Sequence, residues 1–371
     1  MLYDELLKYA HGDVYPMHMP GHKRNLEFLP AGNPFELDIT EIHGFDDLRD
    51  PQGFIKETTE LAARLYGSLE AFLLVNGSTV GMLAAIGAHT ARGDKILFAE
   101  SCHRSVHNAA QLFGLEAVLL APGVDEVSGV ECSISPAMVE EALNREPGIR
   151  LVVITSPSYE GVVSDIRSIA DIAHSREVFL LVDSAHGAHF GFSSGFPDNA
   201  VQCGADVVVM SLHKTLPALT QCSLLHVCSD RANVAEIYRL LFVLQTSSPS
   251  YLLMSSIDYC LRLLNRDKVR LFDDYEQRLK LFYDDVRGLK NIKVIDAFDN
   301  DFFAFDPGKI VVVTKGTGLS GFVLADILRD EYKIELELAH SNYAIAMTSI
   351  CDTWEGFTRL ANALIEIDRA V

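Results

Sequence analysis

Short apolar runs and amphipathic stretches alternate along the middle of the chain. The apolar runs lie at residues 71–75, 95–98, 117–120, 151–155, 179–182, 207–210 and 223–227. Helical spacing of apolar residues occurs around and between them, at 55–65, 82–89, 108–113, 136–144 and 166–174. Apolar runs this short are typical of strands that helices cover on both faces. The alternation predicts an α/β protein whose large domain is a doubly wound, mostly parallel sheet.

The two ends of the chain follow other patterns. The first fifty residues are rich in His, Pro, Gly and Asp and predict an irregular arm with one short helix. After residue 250 the pattern predicts long helices at 251–264 and 269–289, strands at 293–295, 310–313 and 343–347, and helices at 322–331 and 354–368. We therefore predict an arm (1–50), a large domain (51–250), and connecting helices with a small α/β C-terminal domain (251–371).

Composition narrows the classes of function. Of the 371 residues, 49% are hydrophobic and 22% are charged, which is typical of a packed globular protein. A net charge of −20 opposes contact with nucleic acid or anionic membranes, and it is compatible with a basic substrate. The seven cysteines include no C-x-x-C pair, so we expect neither a disulfide framework nor a structural zinc site. With no signal-peptide pattern at the N-terminus, a cytoplasmic enzyme with a small-molecule substrate is expected.

Gly77, Ser78 and Thr79 follow the first predicted strand and precede a predicted helix. In doubly wound sheets, ligands bind at the carboxyl ends of the strands. Backbone N–H groups, two hydroxyls and the positive end of a helix dipole suit a phosphate group. Serine and threonine are also ordinary helix caps, so this turn taken alone leaves both interpretations open.

Asp183 comes directly after the predicted strand at 179–182, and His186 and His189 follow it. A carboxylate at the end of a buried strand needs a partner, and the protonated ring nitrogen of a cofactor is one. His186 and His189, with the nearby aspartate, could instead hold a metal ion. A purely structural role is the third reading of this segment.

Lys214 follows the apolar strand at 207–210, after Ser211, Leu212 and His213. Burying a lysine as a cation is costly, and desolvation lowers its pKa so that it becomes a nucleophile for an aldehyde. A lysine that reaches past the apolar surface into solvent is the alternative.

Together the phosphate-type turn, the strand-end aspartate and the later lysine resemble fold-type I pyridoxal-phosphate (PLP) enzymes, those of the aspartate-aminotransferase fold. More narrowly, the chain resembles the Orn/Lys/Arg decarboxylase family. The motifs that carry this resemblance lie at residues 19–24, 38–41, 44–48, 76–79, 103–105, 156–161, 183–189, 211–215 and 246–251. They span essentially the whole chain.

The resemblance implies a role for each matching residue. Lys214 would hold PLP as a Schiff base, Asp183 would pair with the ring nitrogen, and His103 would stack on the ring. Five residues would surround the phosphate: Gly77, Ser78, Thr79, Ser211 and His213. Ala185 and His186 would lie close to the ring. Thr246, Ser247 and Ser248 would approach the phosphate of a neighbouring subunit, which implies a homodimer or larger homo-oligomer with shared sites, and no metal.

The implied activity is decarboxylation of lysine, ornithine or arginine. Another fold-type I enzyme, such as an aminotransferase or lyase, and an inactive PLP-binding relative are the alternatives. Aminotransferases generally clamp the substrate carboxylate with an arginine of the small domain. The residues after the predicted strand at 343–347 include no arginine, which favours decarboxylation, and Arg359 is expected to be structural.

Two departures from the family pattern leave the substrate open. The chain ends at Val371, whereas members of the family usually carry a further C-terminal domain, and Ser184 stands where many have glutamate. A basic substrate needs an acidic residue at the far end of its pocket. Asp46, Asp47 and Glu41 are candidates for it, or they organise the arm and the dimer.

Residues 316–321 match a G-x-G-x-x-G pattern and lie between a predicted strand and a predicted helix. Glu335 follows nineteen residues after Gly316. The pattern matches a local dinucleotide-binding fingerprint. Too little chain follows it to build a nucleotide-binding half, so we expect a helix-opening turn of the small domain. The sequence contains no P-loop motif.

Overall fold

The computed structural model describes residues 2–28, 33–296 and 302–371. The predicted arm therefore includes five residues, 1 and 29–32, that lie outside the described residues. The strands are β1 (Tyr15–Met17), β2 (Glu70–Leu74), β3 (Lys95–Ala99), β4 (Glu116–Leu120), β5 (Ile149–Thr155), β6 (Val162–Val163), β7 (Phe179–Asp183), β8 (Val207–Ser211), β9 (Ser223–Val227), β10 (Lys293–Val294), β11 (Ala304–Phe305), β12 (Lys309–Val313), β13 (Ile334–Leu336), β14 (Leu338–Ala339) and β15 (Tyr343–Met347). The α-helices are α1 (Leu2–Ala10), α2 (Pro34–Leu37), α3 (Phe54–Tyr66), α4 (Gly77–Ala88), α5 (Arg104–Phe113), α6 (Pro136–Arg145), α7 (Ile166–Ser175), α8 (Leu212–Thr215), α9 (Val234–Leu244), α10 (Tyr251–Val286), α11 (Gly321–Asp330) and α12 (Trp354–Ala370).

The large sheet has the order β2-β9-β8-β7-β5-β3-β4 within the described residues. Strands β4, β3, β5, β7 and β8 are mutually parallel, whereas β9 is antiparallel to both β8 and β2. Because β9 reverses the direction twice, β2 runs the same way as β8. The predicted α/β fold with a mostly parallel sheet is confirmed. The carboxyl ends of β2, β7 and β8 consequently lie along one edge.

Helices cover both faces at the centre of this sheet, which is why its central strands are buried and mostly apolar. Along β8, Val207 and Val209 pack into one apolar layer, and Val208 and Met210 pack into the other. Helices α4, α5 and α9 contribute to the first layer, and α3, α7 and α10 contribute to the second. Each fully buried valine or leucine stabilises the fold by about 1.5–3 kcal/mol relative to exposure. Strands held this firmly fix the positions of the side chains that follow them.

The smaller C-terminal sheet has the order β10-β12-β15-β14 in the described part of the chain. The G-x-G-x-x-G segment joins β12 to α11, and β12 pairs with antiparallel neighbours. A dinucleotide site requires parallel β-α-β units, so the expected helix-opening turn is confirmed. Gly321 opens α11 so close to β15 that an added Cβ would lie 2.0 Å from the Tyr343 carbonyl oxygen.

Several predicted boundaries differ from the structure. The prediction of two helices at 251–264 and 269–289 is wrong, since α10 is one continuous helix of 36 residues. The polar residues between the two predicted helices include neither glycine nor proline, and they form exposed turns of the helix with an Arg266–Asp267 ion pair. Helix α4 begins at Gly77, so the phosphate-type turn is its first turn, and α5 begins at Arg104. Helices α2, α8 and α9 and strands β1, β6, β11, β13 and β14 were not predicted.

The N-terminal arm contacts both sheets. Its strand β1 pairs in parallel with β13. The Gly21 N–H donates to the His213 carbonyl, one residue before Lys214, and the Ser349 hydroxyl donates to the Gly21 carbonyl over 2.6 Å. The buried Lys23 ammonium donates to the Met347 carbonyl at the end of β15. The arm therefore ties the lysine-bearing turn to the small domain.

No helix among the described residues combines the length and the apolar character that crossing a membrane requires.

Candidate active site

The structure brings Lys214, Asp183, His186 and His103 together at the carboxyl edge of the large sheet. Asp183 is the last residue of β7, and Lys214 lies in the short helix α8 directly after β8. The charges of Lys214 and His103 both act on the Asp183 carboxyl group. Parallel neighbouring strands that end at the same level explain why residues far apart in sequence meet here.

His186 lies between two lysines. Its Nε2 is 2.9 Å from Lys214 Nζ, and its Nδ1 is 2.8 Å from Lys309 Nζ. The imidazole is buried, and burial together with the positive charge of Lys309 and Lys214 holds its pKa well below the usual value. His186 is therefore a neutral ring with one N–H and one lone pair.

Burial lowers the pKa of Lys214, although the Asp183 and Glu337 carboxylates act in the opposite direction. A lowered pKa increases the neutral amine that can attack an aldehyde. The alternative of a lysine that reaches into solvent does not fit, because Lys214 is half-buried and its Nζ is within hydrogen-bond distance of His186.

Asp183 is 2% exposed, and burial raises its pKa while Lys214 and His103 oppose that rise. Among the hydrogen bonds of the described residues, its carboxylate accepts one, from the Ala185 N–H at 3.1 Å. A buried carboxylate with so few partners is costly, and a protonated ring nitrogen would satisfy it.

His103 occupies the N-cap of α5, where its Nδ1 accepts the Ser105 N–H at 3.2 Å. The imidazole is exposed at the edge of the site. Burial lowers the pKa of His103, the Asp183 carboxylate raises it, and Lys214 lowers it further. A neutral, accessible ring of this kind can cover a flat ligand and accept a proton.

The turn of Gly77, Ser78 and Thr79 is the first turn of α4. Its N-cap residue, Asn76, makes no side-chain capping bond, so it does not fill the helix N-terminus. Gly77 has φ 74°, and the space around its missing side chain is open. The buried Ser211 donates its hydroxyl to Ser78 Oγ over 3.0 Å. Hydroxyls and an uncapped helix start form a cradle suited to a phosphate.

Two further predicted phosphate contacts lie on either side of this cradle. The Nδ1 of His213 is 3.0 Å from the Cys222 carbonyl, and burial lowers the pKa of His213. Thr246, Ser247 and Ser248 are exposed, and the Thr246 N–H donates to Asn76 Oδ1 of the same chain at 3.1 Å. This bond holds residues 246–248 beside Asn76, which directly precedes Gly77, and the three residues remain exposed.

Two of the acidic candidates named from the sequence, Asp46 and Asp47, accept local backbone N–H groups. Asp46 accepts backbone N–H groups at the start of α3, from Gln52, Gly53, Ile55 and Lys56. Burial acts to raise the pKa of Asp46, but these four bonds outweigh it and hold the pKa below its usual value. Asp47 accepts the Arg49 N–H at 2.8 Å, and Glu41 is exposed.

His186 and His189, which the sequence offered as ligands of a metal ion, have different partners. His186 lies between the lysines, whereas His189 Nε2 is 3.1 Å from Asp306 Oδ1. In the described part of the chain, no group of three or more His, Cys, Asp or Glu side chains is placed to hold a metal ion. Asp183, His186 and His189 are therefore not one metal-ligand set.

Sequence reasoning missed the small-domain residues of the site. Lys309 begins β12 with 1% exposure, and its Nζ lies 5.3 Å from the centre of the Tyr159 ring. The Tyr159 hydroxyl donates to Glu337, whose other oxygen accepts the Met19 N–H at 2.7 Å. The sequence did carry one signal for Lys309, because a lysine that begins an otherwise apolar strand is unusual enough to indicate a functional role.

A cavity of about 350 Å³ lies beside Cys102, the neighbour of His103. Thr155, Tyr159 and two carboxylates, Glu131 and Glu160, line it. No lysine or arginine is among the described residues of its lining. A cationic group would be favoured in such a cavity over an anionic one.

These features fit PLP. The open Gly77 cradle suits its phosphate, the sparsely bonded Asp183 carboxylate suits its ring nitrogen, and the Lys214 amine suits its aldehyde. The three groups offer one anion site, one cation site and one nucleophile on a single edge of the sheet.

The chain resembles known decarboxylases in sequence. Residues 1–355 match the family model described as Orn/Lys/Arg decarboxylase, major domain. The chain is 39% identical over 354 residues to YaaO, an uncharacterised protein of Bacillus subtilis (strain 168), covering 93% of this chain and 72% of YaaO. It is 31% identical over 378 residues to the arginine decarboxylase of Bacillus subtilis (strain 168), covering 99% and 76% of the two chains.

Solved structures show the same fold. The lysine decarboxylase LdcF of Francisella novicida superposes with a TM-score of 0.76 at 20% identity, covering 99% of this chain. The present chain spans 60% of the length of that protein. An alanine–glyoxylate aminotransferase of Nostoc sp. superposes with a TM-score of 0.72 at 14% identity, over 96% of this chain and 95% of its own. The likeness to both reaction classes establishes fold type I, and it does not choose between them.

Proposed function

Because the chain belongs to the Orn/Lys/Arg decarboxylase family, we propose that it is a PLP-dependent decarboxylase of a basic amino acid. In this proposal Lys214 is the amine that holds the cofactor. The observation that carries the proposal is that Lys214 and the buried Asp183 lie at the same edge of the sheet, near enough for the charge of each to act on the other. The carboxylate would stabilise a cation on the ring nitrogen, and burial lowers the pKa of the Lys214 amine.

Each residue of the site has a task in this reaction. PLP, when bound, supplies a ring that withdraws the electrons of the breaking bond. Asp183 holds the proton on the ring nitrogen, because a buried carboxylate favours a neighbouring cation. The first turn of α4, with Ser78 and Ser211, anchors the phosphate.

After carbon dioxide leaves, a proton must reach the α-carbon of the product. Two bases with lowered pKa values, Lys214 and His103, are the groups of the site that can carry it. Burial moves the pKa of Lys214 toward neutrality, and a group whose pKa lies nearer to neutrality both takes up and releases a proton efficiently. We assign this transfer to Lys214, with His103 as the group that covers the ring.

The turn after β15 supports decarboxylation over transamination. Where an arginine clamp would be expected, Thr348 donates its hydroxyl to the Gly308 carbonyl and Ser349 donates its hydroxyl to Gly21. These neutral groups are used within the protein and do not hold a carboxylate. Arg359 bonds Glu355 and the Asp13 carbonyl on the surface, as expected of a structural residue. A carboxylate that is to leave as a neutral gas is better left without a cationic clamp.

The acidic cavity supports a basic substrate. We propose that Glu160, which lines the cavity and accepts the Tyr343 hydroxyl at 3.0 Å, receives the distal cation of lysine, ornithine or arginine. Glu160→Gln is expected to raise KM for the preferred substrate about tenfold or more with little change in kcat, since charge-assisted bonds contribute about 1.5–3 kcal/mol. Glu116→Gln, at an exposed sheet edge, is the control. An unchanged KM would remove Glu160 from the substrate site.

The activity itself is tested with carboxyl-labelled arginine, lysine and ornithine and PLP-loaded protein. Release of labelled carbon dioxide, together with the matching amine, supports the proposal. Formation of a keto acid without carbon dioxide would instead identify an aminotransferase. Binding of PLP with neither product would identify an inactive relative.

We also propose a homodimer with shared sites and a cytoplasmic location. Exposed apolar side chains on the arm, among them Leu2, Leu26 and Phe35, support association with a second copy. No disulfide joins the cysteines of the described residues, which agrees with a reducing compartment.

A further inference from the structure

Lys309 comes from the small domain, yet it reaches the site built by the large one. It is the first residue of β12, and its side chain is fully enclosed. Gly161 makes room for the stem of Lys309, because a Cβ on Gly161 would lie 2.8 Å from both Lys309 Cβ and Cγ. A buried lysine with its own recess needs a reason, since enclosing an amine is costly unless it is bonded.

Hydrogen-bond counting at His186 limits the charge of the two lysines. A neutral imidazole has one N–H and one lone pair, and both ring nitrogens face a lysine Nζ within 2.9 Å. If both lysines were ammonium groups, both would be donors, and the ring could accept only one of them. The geometry is therefore satisfied when one lysine is a cation and the other is a neutral amine.

We propose that Lys309 is a positioning residue for Lys214, and that through His186 it decides which of the two amines carries the shared proton. The inference rests on the proposed role of Lys214 as the cofactor-binding amine. When Lys309 carries the proton, its ammonium donates a hydrogen bond to the Nδ1 lone pair, the ring N–H is on Nε2, and Lys214 accepts that N–H as a neutral amine. A proton on Lys214 reverses the tautomer and leaves Lys309 neutral. One proton moves through the ring in each direction, and no net charge enters or leaves.

Charged groups on every packed element bear on this balance. Asp306, Glu160 and Glu337 favour the cation on Lys309, whereas Lys214 disfavours it, and burial lowers the pKa of Lys309 to about 7. Asp306 also bonds His189, and Tyr159 lies over the Lys309 amine. Asp183 and Glu337 favour the cation on Lys214. His103 and His213 also lie within range of the Lys214 charge. The two amines thus compete for one proton through the same imidazole.

The test measures the nucleophilicity of Lys214 in the apoenzyme, without PLP and without turnover. Trace acetic anhydride labels neutral amines, and mass spectrometry of the Lys214 peptide across pH gives the midpoint of its deprotonation. Lys309→Arg supplies a permanent donor to Nδ1 and keeps Lys214 neutral. Lys309→Met removes the competing amine, so that Lys214 keeps its proton.

We expect the Lys214 midpoint to be highest in Lys309→Met, intermediate in the wild type and lowest in Lys309→Arg. The two variants should differ by about one pH unit or more, which is about tenfold in neutral amine at a pH below both midpoints. Lys95→Met removes a lysine that pairs with Glu146 on the far side of the sheet, and it should leave the midpoint unchanged. Coincident midpoints in the wild type and the Lys309 variants would overturn the proposal.

A second comparison distinguishes coupling through the His186 imidazole from direct charge repulsion between Lys309 and Lys214. In a His186→Phe background the dependence of the midpoint on residue 309 should shrink to the smaller part that direct charge repulsion carries. Dependence that persists at full size in that background would show coupling through space and would overturn the role of His186. If Lys309→Arg does not fold, the Lys214 midpoints of the wild type and Lys309→Met are compared instead, both with His186 and in the His186→Phe background. A failure of PLP to attach to Lys214 would leave these labelling results intact, so the two proposals fail separately.

Discussion

At the scale of single residues, burial determines the chemistry of the site. Asp183, Lys214 and Lys309 all carry pKa values displaced by desolvation, and each is partly restored by a neighbour of opposite charge. Displaced pKa values that meet in one place are typical of functional sites. The residue-scale predictions therefore concern groups whose charge state the fold controls.

Asp183→Asn is expected to lower kcat by about a hundredfold or more, the loss seen when a group that stabilises transition-state charge is removed. PLP should still attach, because Lys214 and the phosphate cradle remain. Steady-state decarboxylation and the cofactor absorption band measure the two effects. Asp183→Glu keeps the charge and should retain more activity than the amide. Equal activity of the amide variant and the wild type would contradict the assigned role.

His226 should make the protein less stable in acid. It is fully buried beside Tyr66, its Nδ1 is 2.9 Å from Ser68 Oγ, and burial lowers its pKa to about 3. The unfolded chain binds the proton near pH 6.5 and the folded chain does not. Stability is therefore complete above that pH and falls below it, by about 2 kcal/mol from pH 6.5 to 5.

Thermal unfolding of the wild type and His226→Phe at pH 5 and pH 7.5 measures this contribution. The stability of the wild type should fall more steeply with acid than that of the variant, because other titrating groups are common to both. Equal pH dependence would show that His226 is not protonated on unfolding in this range.

At the scale of elements, strand ends were predictable and contacts between distant elements were not. Short apolar runs identified β2, β7 and β8, and the polar residues after them identified the turn, Asp183 and Lys214. Residue contacts such as Lys309 with His186 depend on how the small domain packs on the large one, which local periodicity does not encode. Helix α10 was divided wrongly because four polar residues resemble a loop when their exposed position on a helix is unknown.

Gly21→Ala is expected to loosen the arm. A Cβ there would lie 2.6 Å from the Leu216 backbone nitrogen and 2.7 Å from the Thr215 carbonyl carbon, and neither backbone atom can move cheaply. The cost should be about 1–3 kcal/mol, with faster proteolysis of residues 1–28 and reduced PLP affinity. Gly123→Ala, where nothing lies within 4 Å, is the control. Unchanged proteolysis in Gly21→Ala would show that the arm does not depend on this contact.

At the scale of the whole molecule, three parts of one chain build the site. The large domain supplies Lys214 and Asp183, the small domain supplies Lys309, and the arm holds both through Gly21 and Lys23. The exposed hydroxyls of residues 246–248 suggest that a second subunit completes the phosphate cradle. The domain boundaries and this shared site stay predictions.

Subunit complementation tests the shared site. Two variants are prepared, Lys214→Ala and a triple variant with Thr246→Val, Ser247→Ala and Ser248→Ala. Each should be nearly inactive alone. Mixed by unfolding and refolding together, they should regain about a quarter of wild-type activity, because half of the dimers contain one intact site of two. If the segment serves the cradle of its own chain, through its bond to Asn76, the mixture should regain none.

The central claim is that Lys214 binds PLP covalently, and borohydride trapping tests it most directly. The purified protein is incubated with PLP, reduced with sodium borohydride, digested and analysed by mass spectrometry, beside Lys214→Ala and Lys95→Ala. We predict a reduced phosphopyridoxyl group on Lys214 in the wild type and in Lys95→Ala, and none in Lys214→Ala. A wild-type protein that carries the group on another lysine, or on none, would contradict the account.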